Sequence, residues 1–328
     1  MEVKTLSTMT PDEIADVFVL IIKKDSLVTR QGKPFYKVTF RDELKEVSVP
    51  VWHDSQLWED CQNRWQVGKY YKVRGSIQQT KFGEQLQIAI IREANEDDFD
   101  EGFSPEKYSP RSKFDPEEMY DELLELVKEN TTSETLLELT LTILEENAEA
   151  LLSHPAAKSN HHAFHGGLLE HTLSVTKTAV YLAEKYSTSH PEMQPPLNVG
   201  LVVCGAALHD IGKLRELDTD SLETVYSPQG HLIGHLLLGR DIVRETAAKL
   251  EDIDPVMLLR LEHLIIAHQR LPEWGSPKEP ATPEALLVHY ADDIDAKFQI
   301  MSEILEKDTT EEPLTTHQNV LRTALYKE

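Results

Sequence analysis

The sequence predicts a multi-domain protein, an all-β barrel at the N-terminus followed by an all-α helical bundle. Three observations carry this. The 328 residues suffice for two hydrophobic cores, at roughly 150 residues per domain. Residues 1–95 are dense in β-branched and aromatic runs, whereas from residue 119 onward apolar side chains recur at three- and four-residue spacing. Between them, residues 96–118, "EDDFDEGFSPEKYSPRSKFDPEE", are acidic, proline-punctuated and without an apolar period, which reads as a linker.

The barrel elements follow in order. "VFVLIIKKDSLV", "PFYKVTF", "EVSVPVW", "KYYKVRGSI" and "QLQIAII" each have strand character, and "DSQLWEDCQNRW" reads as a short helix between the third and fourth. Five strands with a helix at that place outline an OB-fold, a small Greek-key barrel. Alternation places Tyr36, Val38 and Phe40, then Val47, Val49 and Val51, then Tyr71, Val73 and Ile77 in the core. It turns Phe35, Lys37, Trp52, Lys72 and Arg74 outward. Aromatics mixed with cations suit single-stranded nucleic acid, through base stacking and phosphate pairing; taken alone, this face reads equally as a solvated surface.

The second domain, expected over residues 119–310 with a tail at 311–328, carries helical periodicity in 119–127, 168–182, 232–250, 256–266 and 285–305. Thr282 and Pro283 read as a cap and a first-turn proline. The apolar run closing on "ALHDIGK" reads as a buried helix with Asp210 in its last turn. A carboxylate there faces the negative end of the helix dipole, so a positive partner is expected.

The net charge of −24 argues against a nucleic-acid partner at first sight. Residues 1–95, however, hold 14 Lys and Arg against 13 Asp and Glu, leaving 19 against 44 for the rest. Cys61 and Cys204 lack the spacing of a disulfide or thiolate zinc site and are expected to be buried thiols. Neither "VFVLII" nor "VGLVVCGAAL" reaches the roughly 18 apolar residues of a membrane span. No signal peptide is readable at the N-terminus, so no membrane partner and a cytoplasmic location are expected.

Of the 14 histidines, 12 lie between residues 154 and 289. His171 follows Leu168 by three and precedes Val175 by four, on an apolar face; His235 stands likewise between Leu232 and Gly239; His268 follows Leu264 and Ile265 at a helix end. Asp292 lies mid-helix beside a stripe of Leu287, Ala291, Ile294 and Phe298. Any one of these reads more readily as a satisfied core residue. The set, with His209 and Asp210 added, reads as ligands that share burial by coordinating a divalent cation. Mixed His and Asp ligation without cysteine favours Mn²⁺, with Mg²⁺, Fe, Co²⁺ and Zn²⁺ as alternatives.

The same residues carry a resemblance. The order His171, His209 with Asp210, His235, His268 and Asp292 resembles the HD-domain metal-dependent phosphohydrolases. "HHAFHGGLLEHTLSV", "ALHDIGKL", "GHLIGH" and "EWGSPKEPATPEALLVHYADDIDAK", behind an OB-fold, are similar to the YhaM-type 3′-to-5′ exoribonucleases over nearly the whole chain. The resemblance implies that His171, His209, Asp210 and Asp292 hold the principal metal and that His235 and His268 complete the site or hold a second ion. One departure stands out: Gln269 follows His268 where related domains often have a second histidine, and His263 is the unassigned substitute.

A cation-activated water would attack phosphorus in line, with Asp210 bridging metal and water as a general base. Lys213 either neutralises the scissile phosphate or opposes a helix dipole. The resemblance implies hydrolysis of single-stranded RNA, with single-stranded DNA as a second candidate, to nucleoside 5′-monophosphates; a homo-oligomer is compatible with the sequence. Two alternatives remain open: a phosphohydrolase of small nucleotides, and a non-catalytic nucleic-acid-binding protein with a structural metal.

Overall fold

Alternating β-branched and aromatic residues make the N-terminal strands, and their register closes them on one another. In a computed structural model that describes residues 3–29, 32–42, 45–80, 83–104, 108, 112–157, 164–219, 224–308, 310, 312–317 and 319–328, the chain divides into two compact units, Met1–Pro110 and Arg111–Glu328. In the first, β1 (Val3–Lys4) pairs in parallel with β2 (Ala15–Val28), which runs antiparallel to β3 (Pro34–Arg41) and β5 (Tyr70–Thr80). Strand β4 (Glu46–Trp52) flanks β3 and β6 (Gly83–Glu93) flanks β5, giving the order β4-β3-β2-β5-β6, with β4 and β6 also approaching each other. Helix α1 (Trp58–Asn63) lies between β4 and β5. Setting aside the short β1, this is the expected five-stranded OB-type barrel with its helix after the third strand.

The strand alternation is as expected except at Tyr36, which is only half-buried against the core. Val38, Phe40, Val47, Val49, Val51, Tyr71, Val73 and Ile77 are buried, while Trp52 is 42% exposed. Burial pushes the Cys61 thiol up to about 11, which makes it the inert core group its sequence context suggests.

The reading of 96–118 as a linker needs correction. Glu96–Glu101 forms a 3₁₀ turn closed by a capping box between Asn95 and Asp98. Arg92 donates to both Asp98 oxygens, at 2.7 and 2.6 Å, while Phe103 packs against Phe18 in a tilted pair, 5.1 Å between ring centroids. An acidic segment with an aromatic at its end finds a cationic strand and an apolar groove, so it folds onto the barrel. At the other end, Pro116 already opens the first helix of the second unit.

That unit is helical: α2 (Pro116–Asn130), α3 (Glu134–Glu146), α4 (Ala148–Ser153), α5 (Gly167–Ser189), α6 (Val199–Leu208), α7 (Lys213–Glu216), α8 (Pro228–Leu232), α9 (His235–Ala247), α10 (Pro255–Ala267) and α11 (Pro283–Lys307). A hairpin of β7 (Leu217–Asp218) and β8 (Val225–Tyr226) interrupts the helices. Gly200 to Leu208 are all buried, and α6 packs against α2, α3, α5, α10 and α11, as befits a helix apolar on every side. Thr282 caps α11 by accepting from the Ala285 N–H at 3.2 Å. Beyond α11 the tail folds back, with Leu314 bridged to Tyr326 and Lys327 2.9 Å from Asp308.

Two expectations change here. The helix expected over 232–250 runs only from His235 to Ala247: Leu232 closes the short α8, and Gly234, at φ +80°, breaks the chain between the two. The stripe on α11 also divides: Leu287 and Ala291 are buried, but Ile294 and Phe298 are 59% and 72% exposed. No described helix is long and apolar enough to cross a membrane.

Candidate metal centre and nucleic-acid face

The chain builds the centre from helix ends. Helix α6 ends at Leu208, and His209, still in helical conformation, turns its Nδ1–H back to the Ala206 carbonyl at 2.7 Å. His268 does the same at the end of α10, donating to the Ile265 carbonyl at 2.8 Å. Each thereby satisfies a carbonyl that the helix terminus leaves open. A carbonyl can only accept, so Nδ1 carries the hydrogen and Nε2 is left with its lone pair. His289 of α11 donates to the His268 carbonyl at 2.6 Å and pins that helix end.

The other two imidazoles are held by carboxylates. His171, on the buried face of α5, donates from Nδ1 to Asp295 at 2.7 Å, and Ser174 donates to the other Asp295 oxygen. His235, the first residue of α9, donates from Nδ1 to Glu216 at 3.0 Å. It reaches the centre through Gly234, while Leu232, its supposed helical neighbour, is 86% exposed. Gly212 makes room: a Cβ there would overlap the His235 carbonyl oxygen and the Gly239 amide nitrogen.

All four imidazoles turn Nε2 toward Asp210 and Asp292. His171 Nε2 lies 3.2 Å from His209 Nε2 and from Asp292 Oδ1, and 3.4 Å from Asp210 Oδ2. His209 Nε2 lies 3.4 Å from Asp210 Oδ2 and 3.8 Å from Asp292 Oδ1. The second Asp210 oxygen, Oδ1, faces His235 at 3.5 Å and His268 at 3.6 Å. Asp210 thus faces both halves of the cluster. Ligands about 2.1 Å from a cation and at right angles stand about 3.0 Å apart, so these separations suit a shared ion.

Buried polar atoms test whether an ion fits. Among the described residues, Asp210 Oδ1 and His268 Nε2 have no hydrogen-bond partner. Each such orphan costs about 1–3 kcal/mol, a penalty that a bound cation would relieve. His171, His209 and Asp292 form one potential ligand group and His209, Asp210 and His268 another. The donor set of imidazole and carboxylate fits a divalent ion.

The charges agree. Full burial alone would push the His171 imidazole down, but Asp210, Asp292 and Asp295 hold it well above its ordinary value. Burial opposes ionisation of Asp210, yet Lys213, 2.6 Å away, and His209 keep its pKa well below the carboxylate range. Asp292 is lowered against its burial by His171 and His209. The cluster therefore calls for positive charge at its middle, which a proton on His171 or a cation supplies. His268, pushed down to about 3 by burial and by His209, stays a neutral donor.

The structure brings together all six expected ligands, with Lys213 beside Asp210. His263 stands apart, accepting from the Ala281 N–H at 2.9 Å, and His161 and His162 lie outside the described residues. Gln269 does join the site, its amide nitrogen 3.1 Å from His235 Nε2. Sequence reasoning missed Asp295, Ser174 and Glu216. Asp295 sits three residues after Asp292 on α11, a spacing that shares a helix face and could have flagged it; Glu216 has no comparable signal.

The expected nucleic-acid face is brought together only in part. Phe35 and Trp52 are cross-strand partners with ring centroids 4.8 Å apart, and Lys37 is exposed on the same strand as Phe35. Lys72 is instead held by Glu101 at 2.5 Å and Asp98 at 3.6 Å, and Arg74 by Asp16 at 2.7 and 2.8 Å. Along β2, Phe35 pairs with Leu27 but Lys72 with Phe18, about nine residues or on the order of 30 Å of strand. The aromatic pair and these two cations are therefore separate features. Acidic partners from the 3₁₀ turn and β2, invisible to strand alternation, claim the cations.

Comparison with known proteins covers both units. An HD domain family model matches residues 168–297, which enclose all six expected ligands and belong to a divalent-metal-dependent class of phosphohydrolase. A second model, whose description names a helicase, matches residues 116–214. Two structures of a replication protein A domain from Methanococcus maripaludis, one crystal and one solution, align with 28% and 29% of this chain and 96% of their own, at 11% and 13% identity and a TM-score of 0.23 each. The 3′-5′ exoribonuclease YhaM of Bacillus licheniformis is 30% identical over 295 residues, 90% of this chain and 88% of the relative. With a match that runs through barrel and metal centre alike, the chain belongs to the YhaM 3′-5′ exoribonuclease family.

Proposed function

We propose that the chain is a metal-dependent 3′-to-5′ exoribonuclease that shortens single-stranded RNA to nucleoside 5′-monophosphates. The observation that carries this reading is the inward convergence of four Nε2 atoms, each backed by an oxygen acceptor on Nδ1, onto two buried carboxylates. His171, His209, Asp210 and Asp292 would hold the principal ion, with His235 and His268 on the far side of Asp210. Mn²⁺ is the proposed ion, with Mg²⁺, Fe, Co²⁺ and Zn²⁺ as alternatives for a mixed imidazole and carboxylate set. A divalent ion bound there supplies Lewis acidity toward a phosphoryl oxygen and acidifies water.

The chain's own residues do the rest. Asp210, held well below the carboxylate range by Lys213 and His209 against its burial, orients the attacking water as a hydrogen-bond acceptor and is the proposed general base. Lys213 is held cationic beside Asp210, a charge placed to stabilise the phosphorane-like transition state. Phe35, Trp52 and Lys37 are the proposed stacking and phosphate contacts of the barrel, read as residues 1–95. Lys72 and Arg74, already paired, are the weaker part of that surface. The reading sets the enzyme in the cytoplasm.

The test is digestion of 5′-labelled single-stranded RNA and DNA with Mn²⁺. A ladder shortening one nucleotide at a time from the 3′ end is expected, with mononucleotide as the small product. Hydrolysis of free nucleotides without any ladder would overturn the reading.

A further inference from the structure

The helix end that supplies His268 runs on into a segment the metal centre does not use. Arg270 closes α10 with its N–H on the Ala267 carbonyl at 2.9 Å and with φ +64°. Glycine or asparagine ordinarily takes that left-handed position, because a longer side chain is strained there. Strain kept at the edge of a site points to a use for the side chain. Arg270 is exposed, and its neighbour Gln269 brings an amide nitrogen within 3.1 Å of His235 Nε2. Arg215, Arg240, Arg244 and Arg260 each pair with a carboxylate, whereas Arg270 pairs with none among the described residues. Lys213 is likewise taken, by Asp210 at 2.6 Å. Arg270 is thus an uncommitted guanidinium beside the centre, in the strongly acidic part of the chain.

Trp274 is held out on the same segment. It ends a 3₁₀ turn, Pro272–Trp274, in which its N–H donates to the Leu271 carbonyl at 3.0 Å and Gly275 at φ +92° closes the turn. The buried Ser276 hydroxyl ties this turn back to α10, 2.8 Å from the Ile266 carbonyl. Tryptophan is mostly buried in folded chains, yet this fixed indole is 48% exposed. Lys297 Nζ stands 5.8 Å from its ring centroid and 2.7 Å from Asp293, the residue after Asp292. Both α10 and α11 therefore carry the indole alongside the centre. We infer that Arg270 and Trp274 position the 3′-terminal nucleotides of the strand, the guanidinium gripping a backbone phosphate next to the scissile one and the indole stacking on a base. Guanidinium meets phosphate oxygens in a bidentate fork whatever the base, and stacking on an aromatic ring is equally tolerant of sequence. The helical unit thereby has its own grip on a short strand, separate from Phe35 and Trp52 of the barrel. This rests on the exoribonuclease reading above.

Digestion of a short single-stranded RNA by the full chain with Mn²⁺, repeated over a range of salt, tests it. Arg270→Gly suits the left-handed backbone and should melt close to the parent, yet raise KM for RNA by a larger factor than it lowers kcat. It should also reduce the slope of log KM against log salt by about 0.7, the loss of one phosphate contact on a single strand. Arg270→Lys, strained like the parent but still cationic, should keep the parent's slope. Trp274→Ala should raise KM by about fivefold to a hundredfold. Removing the bases of the last two nucleotides should cost the parent a similar factor and Trp274→Ala nothing further. A parent-like KM and salt slope in Arg270→Gly, or an equal loss on the abasic RNA in parent and Trp274→Ala, overturns the inference alone. A parent that hydrolyses free nucleotides and forms no ladder from RNA refutes the exoribonuclease reading, and this grip with it.

Discussion

Asp295 offers the sharpest test of how the centre is held. One of its oxygens accepts from His171 Nδ1 at 2.7 Å and the other is held by Ser174. A hydrogen bond to an ionised partner in a buried setting is worth about 1.5–3 kcal/mol. That converts to somewhat more than tenfold up to a little over a hundredfold in an equilibrium constant, the range in which outer partners of metal-binding histidines act. Asp295→Asn keeps an acceptor oxygen for Nδ1 but loses the charge, so Mn²⁺ affinity should fall about tenfold. Asp295→Ala also removes the acceptor and should cost about a hundredfold. Mn²⁺ dissociation constants by equilibrium dialysis check both, and turnover on a short RNA at saturating Mn²⁺ should recover further for Asn than for Ala. An Ala variant that binds Mn²⁺ within twofold of the parent would refute the argument that the carboxylate positions His171.

Three further outcomes follow from the geometry. Trp52→Ala or Phe35→Ala should weaken binding of long single-stranded RNA by about 1–3 kcal/mol in a fluorescence-anisotropy titration, while Lys72→Ala should change it little; the opposite ranking would restore the cation face. Gly212→Ala forces a methyl group into the His235 carbonyl and Gly239 and should destabilise the helical unit by about 3 kcal/mol or more in chemical denaturation; an unchanged midpoint would show that α9 can yield. The Arg92 guanidinium holds Asp98 down at about 2, and a depressed carboxylate stabilises fully above its ordinary value near 4 and loses this as pH falls through about 2. Asp98→Asn should therefore lower the barrel's melting temperature at pH 7, with the gap to the parent closing between pH 4 and pH 2; a gap independent of pH would remove the ion pair as its cause.

Much was legible in the sequence because local rules govern it. Strand alternation put Val38, Phe40, Val73 and Ile77 in the core and Trp52 outside, and the order of five strands and one helix defined the barrel. The inward histidines and the His209–Asp210 pair announced a cation because buried ionisable groups on several helices need a common partner. What periodicity could not register was a single backbone dihedral, Gly234, which broke the chain between α8 and α9 and aimed His235 from the second. It also treated Ile294 and Phe298 as extensions of a stripe whose covering ends earlier, at Ala291.

Sequence by itself determined which residues could ligate, since imidazole and carboxylate chemistry travels with residue type and the helical pattern tells which face carries it. Only the tertiary structure decided how they are used. Asp295 and Glu216 became partners of His171 and His235 from 124 and 19 residues away. Lys72 and Arg74 lost their freedom to an acidic turn and a neighbouring strand, and Gln269 turned from a missing ligand into a donor on His235. These are pairings across the fold, and a hydrogen bond or ion pair depends on distances that chain position does not encode. The carboxylate of Asp210, misplaced for a helix dipole, is met by Lys213 and four inward imidazoles, a partner set assembled from α5, α7, α9 and the ends of α6 and α10.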